Sequence, residues 1–149
     1  MTKMIDISRK PEQYREAIAS GEIKLKPETI KLIKEQKIEK GDPTQIATLA
    51  GIQGAKFTPT IMPLCHPIPI ESTDVNVSIE DDRIIVKAKV IANSKTGVEM
   101  EALTATTIAL LNLWDVVKKY EKDDRGQYPT TMISNIKVLS KVKRDVKDL

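Results

Sequence analysis

Cysteine and histidine occur once each in this chain, and they are adjacent: Leu64-Cys65-His66-Pro67 lies in a stretch that also holds Pro59, Pro63 and Pro69. Proline fixes its own φ and pushes the preceding residue toward extended backbone. The stretch therefore reads as a stiff loop presenting a thiol and an imidazole side by side. Taken alone, a lone cysteine is more often an inert thiol than a nucleophile, and a loop histidine is more often plain surface. A second stretch, Lys95 to Ala105 (KTGVEMEALTA), turns into a helix through Gly97. A helix start with a lysine beside it suits an anion, although the Gly-x-x-x-x-Gly-Lys-[Ser/Thr] spacing of a phosphate loop is missing. Glu99 and Glu101 stand about 200° apart around such a helix, so one can face a site while the other meets solvent or a cation. The plainer explanation is that acidic residues favour a helix N-terminus. A third place is Asp115 with Lys118, three residues apart and so neighbours on a helix surface. By itself the pair reads as an intrahelical salt bridge, and Lys40 in Lys40-Gly41-Asp42 reads as a turn lysine.

The elements that must hold these residues follow from patterning. Residues 4–7 suggest a short strand, Pro11 to Ala19 a short helix stopped by Ser20-Gly21, and Glu22 to Lys26 a half-buried strand. Pro27 suits the first turn of a helix carrying Ile30 and Ile33 on one face. After the turn at 40–43 a further helix, PTQIATLAGIQGAKF, presents small residues at Ala47, Ala50 and Gly54 beside Ile46, and the prolines from Pro59 onward end it. Val75, Val77 and Ile79 alternate on one side of Asp81-Asp82, and Ile84, Val86, Ala88 and Val90 on the other, which is a hairpin. Val98 to about Tyr120 is a long helix with Leu103, Thr107, Leu110 and Trp114 spaced for one face. Ile133 to Val142 is a last strand, followed by a basic terminus. The order strand, helices, strand, strand, helix, strand predicts an α+β fold: a ferredoxin-like antiparallel sheet with helices packed on one face. Residues 1–149 are expected to form one domain, with 1–39 a helix-and-strand extension of it.

Composition narrows the class. The chain has 149 residues, 24 of them Lys or Arg and 21 Asp or Glu, for a formal charge of +3. Charges of both signs are interleaved, which argues against disorder and against a polyanion-coating tail. One Cys and one His cannot assemble a four-ligand zinc site within the chain, and a single Cys forms no internal disulfide. No window approaches an uninterrupted apolar span, and the N-terminus lacks a signal-like apolar core. The expectation is a cytoplasmic protein that does not enter the membrane.

The strings KGD at 40–42, AGIQGAKFT at 50–58, MPLCHPIPI at 62–70, KTGVEMEALTA at 95–105 and NLWDVVKKYEKD at 112–123 resemble, in order and over nearly the whole chain, the motif series of the cyclic pyranopterin monophosphate synthases, the second enzymes of molybdenum cofactor biosynthesis. The resemblance implies a homohexamer, a trimer of dimers, that uses no redox cofactor. The small-molecule substrate is the cyclic GTP derivative in which ribose C3′ is joined to guanine C8, and pyrophosphate is released. By position, Asp115 matches the family's catalytic aspartate, and Lys40 and Lys118 match active-site lysines. Leu64, Cys65 and His66 match one substrate-binding stretch, and Met100 and Glu101 another. The family's Gly-Gly-Lys-Ser-Gly stretch is replaced here by Ser140-Lys141-Val142-Lys143-Arg144-Asp145. Lys141 aligns with a lysine just before it, and Lys141, Lys143 and Arg144 all remain candidates for the missing lysine's role.

These residue types suit the chemistry. A triphosphate needs cations, which Lys40, Lys118 and the basic terminus can supply without a carboxylate cluster for metal. Opening one ring, closing another and forming a cyclic phosphate are proton movements that call for acid–base groups, here Asp115 and Lys118. Lys40 and His66 are left between phosphate binding and proton donation. Glu101 offers two acceptor oxygens to the paired donors of a guanine-type ring. An RNA-binding module on the same fold is the rival, but such modules stack bases on sheet aromatics, and Tyr14, Phe57, Trp114, Tyr120 and Tyr128 are expected in helices and loops. One geometric expectation remains: Glu101 and Asp115 lie about 21 Å apart along one helix, so two chains packed antiparallel would be needed to bring both to one substrate.

Overall fold

The computed structural model describes residues 1–149. Strict alternation of inward and outward residues builds its sheet. In β1 (Gln13–Lys24) the inward positions are Arg15, Ala17, Ala19, Gly21 and Ile23, all buried. In β3 (Arg83–Ser94) they are Ile84, Val86, Ala88, Val90, Ala92 and Ser94. Together with β2 (Ile70–Ile79) and β4 (Met132–Arg144) they form a four-stranded sheet in the order β2-β3-β1-β4, with every neighbouring pair antiparallel. Between β1 and β2 the chain makes α1 (Pro27–Lys34) and α2 (Pro43–Ile61), and between β3 and β4 it makes α3 (Glu99–Glu121). This is the ferredoxin-like α+β arrangement, and its single apolar core of 23 residues lies between sheet and helices.

Where a helix is expected at Pro11 to Ala19, Gln13 to Ala19 instead form the first seven of the 12 residues of β1. Ala and Glu favour helix locally, but β1 is an inner strand, paired on one side with β3 and on the other with β4, and two ladders of tertiary hydrogen bonds outweigh propensity. Gly21 is not a helix stop. It lies mid-strand where a Cβ would meet Leu110 Cδ1 at 2.8 Å and Ile136 Cγ1 at 2.9 Å, so only glycine lets α3 approach the sheet this closely. Opposite it, β4 bulges at Asn135, whose φ of 62° asparagine tolerates better than most residues. Residues 4–7 form no strand.

Pro59 does not end α2, which runs two residues further to Ile61. The lost amide bond is offset by burial of Ala55 and Thr58 and by a hydrogen bond from Thr58 Oγ1 to Gly54 O at 3.1 Å. The small face of α2 is Ala47, Gly51, Gly54 and Ala55, rotated slightly from the expected one, since Ile46 and Ala50 are only partly buried. A Cβ on Gly54 would stand 2.9 Å from Ile108 Cβ, which shows how closely α2 crosses α3. The buried stripe of α3 is likewise turned: Ala102, Ala105, Ala109, Leu110, Leu113 and Val117 are inside, whereas Leu103, Thr107 and Trp114 are half-buried at its flank. Packing against both a sheet and a second helix requires small residues, and a search for large apolar residues at helical spacing passes over alanines. By length and composition α3 could cross a bilayer, contrary to the sequence expectation, but half of its apolar window is buried within this core.

Tyr14 falls within β1 rather than outside the sheet. It stands at the strand's start, its hydroxyl donating to Glu16 at 2.9 Å and one face of its ring covered by Arg144 at 4.9 Å.

Candidate active site

The two ends of α3 carry two separate groups of residues. At its start, the Met62–Pro69 loop comes down beside the first helical turn. Leu64, Cys65, His66, Met100, Thr96, Gly97 and Glu99 line a cavity of about 710 Å³. The N-terminal segment closes one wall of it with Ile5, Ile7 and Lys10. That segment is tied down by a 2.7 Å contact between His66 Nε2 and Ile5 O and by a 3.4 Å hydrogen bond from Lys95 Nζ to Ser8 O. The loop histidine thus has a main-chain partner in this state.

Glu99 and Glu101 diverge as their spacing requires. Glu99 faces the cavity and receives Lys141 Nζ at 2.8 Å. Register explains the reach of Lys141: it pairs with Ala17, an inward position of β1, so its side chain projects to the helix side of the sheet. Arg144 instead lies over Tyr14, and Lys143 makes no ion pair. Glu101 turns the other way, is 1% exposed, and lines a smaller cleft of about 290 Å³ between α2 and β2 that also holds Lys56. Its Oε1 has no hydrogen-bond partner and its Oε2 lies 3.9 Å from Cys65 Sγ. Burial pushes the Glu101 carboxyl above its ordinary value. Burial first, and the Glu101 carboxylate second, push the Cys65 thiol up as well, which keeps it a thiol and works against a role as nucleophile. A buried acceptor with an unfilled lone pair, beside a cavity, is what a ligand's N–H donors would satisfy.

At the far end, Asp115 sits between two ammonium groups. Lys118 Nζ is 3.1 Å from Oδ1 and Lys40 Nζ is 3.1 Å from Oδ2. Lys118 comes from the next turn of α3, and Lys40 from the loop that precedes Asp42, the residue whose side chain caps α2 by accepting from Thr44 N at 2.9 Å. Hydrogen bonds from Lys118 and then Lys40 hold the Asp115 carboxyl below the usual carboxylate range. All three side chains are about half exposed and stand ready for a partner. One carboxylate thereby holds two cations at a fixed separation, a geometry suited to a polyphosphate.

The sequence-derived residues are therefore gathered into two groups rather than one. Leu64, Cys65, His66, Met100, Glu101 and Lys141 lie at one end of α3, and Lys40, Asp115 and Lys118 at the other, about 21 Å along the helix. Two contributors had been passed over. Lys10 and its neighbours look like a polar tail in sequence, and nothing local ties them to a cavity. Arg15, 8% exposed, braces the turn before α3 by reaching Ser94 O at 3.5 Å and Lys95 O at 3.4 Å. A charged residue among the inward alanines of β1 is the signal that could have found it, had the segment been read as a strand.

Fold and site together define a ferredoxin-like α+β protein whose candidate site residues lie along one helix and its loops, not on the sheet face. The MoaC family model matches residues 4–143. A "probable cyclic pyranopterin monophosphate synthase" of Sulfolobus acidocaldarius is 58% identical over 94% of this chain and 98% of its own length. Proteins of the same name from Sulfurisphaera tokodaii and Pyrococcus horikoshii are each 55% identical over 95% of this chain, covering 93% and 89% of their own lengths. The chain belongs to the MoaC family.

Proposed function

We propose that this chain is a cyclic pyranopterin monophosphate synthase of molybdenum cofactor biosynthesis, converting the cyclic GTP derivative to cyclic pyranopterin monophosphate with release of pyrophosphate. The observation that carries the reading is the Lys40–Asp115–Lys118 cluster in a chain matched to this family over residues 4–143. The two ammonium groups bind the triphosphate and neutralise the pyrophosphate as it leaves. In that step an oxygen of the sugar-derived chain attacks the α-phosphorus, a new P–O bond forms, and the bond to the β-phosphate breaks. Asp115 aligns both lysines and takes a proton when the substrate displaces one of them, and Lys118 returns protons to the opened ring. Glu101 receives the N–H donors of the guanine-derived ring, which would fill its vacant Oε1. Lys141, held at the cavity by Glu99, takes the place of the family's missing glycine-flanked lysine.

The 21 Å between the two groups supports an assembled site. In a two-fold pair with antiparallel α3 helices, the start of one helix meets the end of the other. The cavity of one chain then faces Lys40, Asp115 and Lys118 of its partner, within a homohexamer acting in the cytoplasm. Incubation with enzymatically made cyclic GTP derivative tests the activity. Stoichiometric pyrophosphate and the pterin product are expected, and recovery of unchanged substrate at enzyme-equivalent concentrations contradicts the proposal.

A further inference from the structure

The last residue of α3 is a fully buried glutamate that the reaction does not use. Glu121 is 0% exposed. Its Oε2 accepts from Lys26 N at 3.1 Å and from Thr29 Oγ1, and its Oε1 accepts from Thr131 Oγ1 at 2.6 Å. One side chain thus joins three segments: the end of α3, the start of α1 and the approach to β4. Burying a carboxylate among neutral donors is costly unless its oxygens are well satisfied, and here they are met by a main-chain amide and two hydroxyls. An apolar residue could fill the same space, so packing alone does not account for it.

Its place in the fold does. Glu121 lies three residues beyond Lys118 and six beyond Asp115 on the same helix. The segment it grips, Lys26 and α1, leads through the buried Ile38 directly to Lys40. Ile30, Ile33 and Ile38 anchor this segment in the apolar core, but its other polar ties to the last turn of α3 are on the surface: Glu39 N donates to Tyr120 Oη at 2.9 Å, and the Glu39 carboxylate pairs with Lys119. Exposed ties of that kind hold loosely. The last turn of α3 is a dock for residues 26–40, and Glu121 is its buried peg.

We infer that Glu121 is a positioning residue, which keeps Lys40 against Asp115 by fixing α1 to the end of α3. The inference rests on the reading of Lys40, Asp115 and Lys118 as the reacting cluster. Glu121→Gln turns half of the carboxylate into a donor that faces the Lys26 amide or a threonine hydroxyl, which loosens the grip without changing shape. The Asp115 carboxyl then loses the nearby Lys40 ammonium for part of the time, and its pKa rises.

The test is a titration of the Asp115 side-chain carbonyl by carbon NMR in selectively labelled full-length protein, with wild type, Glu121→Gln, Thr29→Val and Lys40→Ala compared. The expected result is an Asp115 pKa in Glu121→Gln displaced upward toward the Lys40→Ala value, with a smaller shift of the same sign in Thr29→Val. Turnover should fall about tenfold with the same division between kcat and KM as in Lys40→Ala, since misplacement by an ångström costs up to about 10²-fold. A lowered melting temperature with an unmoved Asp115 titration would overturn the inference and leave Glu121 a fold residue. If Glu121→Gln does not fold, Thr29→Val decides in the same terms. Wild-type turnover in Lys40→Ala would instead refute the catalytic reading, and the titration, which needs no activity, would still answer for Glu121.

Discussion

Lys40 Nζ lies 3.1 Å from Asp115 Oδ2 although 75 residues separate the two in sequence. The contact joins a loop between two helices to the C-terminal part of a third, and with Lys118 on the other oxygen it places a carboxylate between two cations. Exposed ion pairs contribute little to folding, and the proposed function gives this one a role toward a bound anion.

Asp115→Asn and Lys118→Ala are therefore expected to abolish turnover while leaving the fold and its assembly unchanged. Steady-state pyrophosphate release, read beside circular dichroism and gel filtration, checks this. Retention of more than a tenth of wild-type activity by both variants would remove them from the mechanism.

Glu101 is expected to lower stability where it serves binding. Its folded-state pKa is raised, so the stability associated with its protonated form is fully present below the unfolded value of about 4.3 and is lost as pH rises through the folded value. Glu101→Gln should therefore melt higher than wild type at neutral and alkaline pH, by about 2–4 °C for each kcal/mol relieved, and the difference should vanish in acid. The same variant should bind substrate far more weakly in calorimetry. A melting difference that grows as pH falls would contradict the burial argument.

Among the three basic residues that follow Ser140, only Lys141 pairs with a residue that lines the cavity, Glu99. Lys141→Ala is expected to raise KM severalfold, and Arg144→Ala, whose side chain lies over Tyr14, to leave it within about twofold, as for a surface group. Equal effects of the two would return the assignment to the open state in which the sequence leaves it.

Gly54→Ala places a methyl group 2.9 Å from Ile108 Cβ. Overpacking of this kind costs about 1–3 kcal/mol, to be read as a shift of the urea midpoint at constant slope. No change in midpoint would mean that α2 and α3 can separate freely.

What could be read from sequence followed the range of the forces involved. The hairpin of Val75, Val77 and Ile79 with Ile84, Val86 and Val90 was legible because period-2 alternation is local, and α1 because proline marks its start. β1 was misread in its first part because alanines at 17 and 19 carry no local preference for strand, and their environment is made by β3, β4 and α3. The site residues were legible as strings, since Leu64-Cys65-His66 and Met100-Glu101 are contiguous. The clasp of Lys40 on Asp115, the pairing of Glu99 with Lys141 and the burial of Glu121 were not, because each joins distant segments through tertiary packing.

Mixed assemblies test the central claim most directly, that this is a synthase whose site combines the start of α3 from one chain with the end of α3 from another. Asp115→Asn and Glu101→Gln chains, each inactive alone, are mixed in equal amounts, and pyrophosphate release from the cyclic GTP derivative is followed while mass spectrometry reports subunit exchange. Shared sites predict recovery of up to about a quarter of wild-type activity through random pairing. No recovery despite complete exchange would place Glu101 and Asp115 of each site in the same chain and contradict the account.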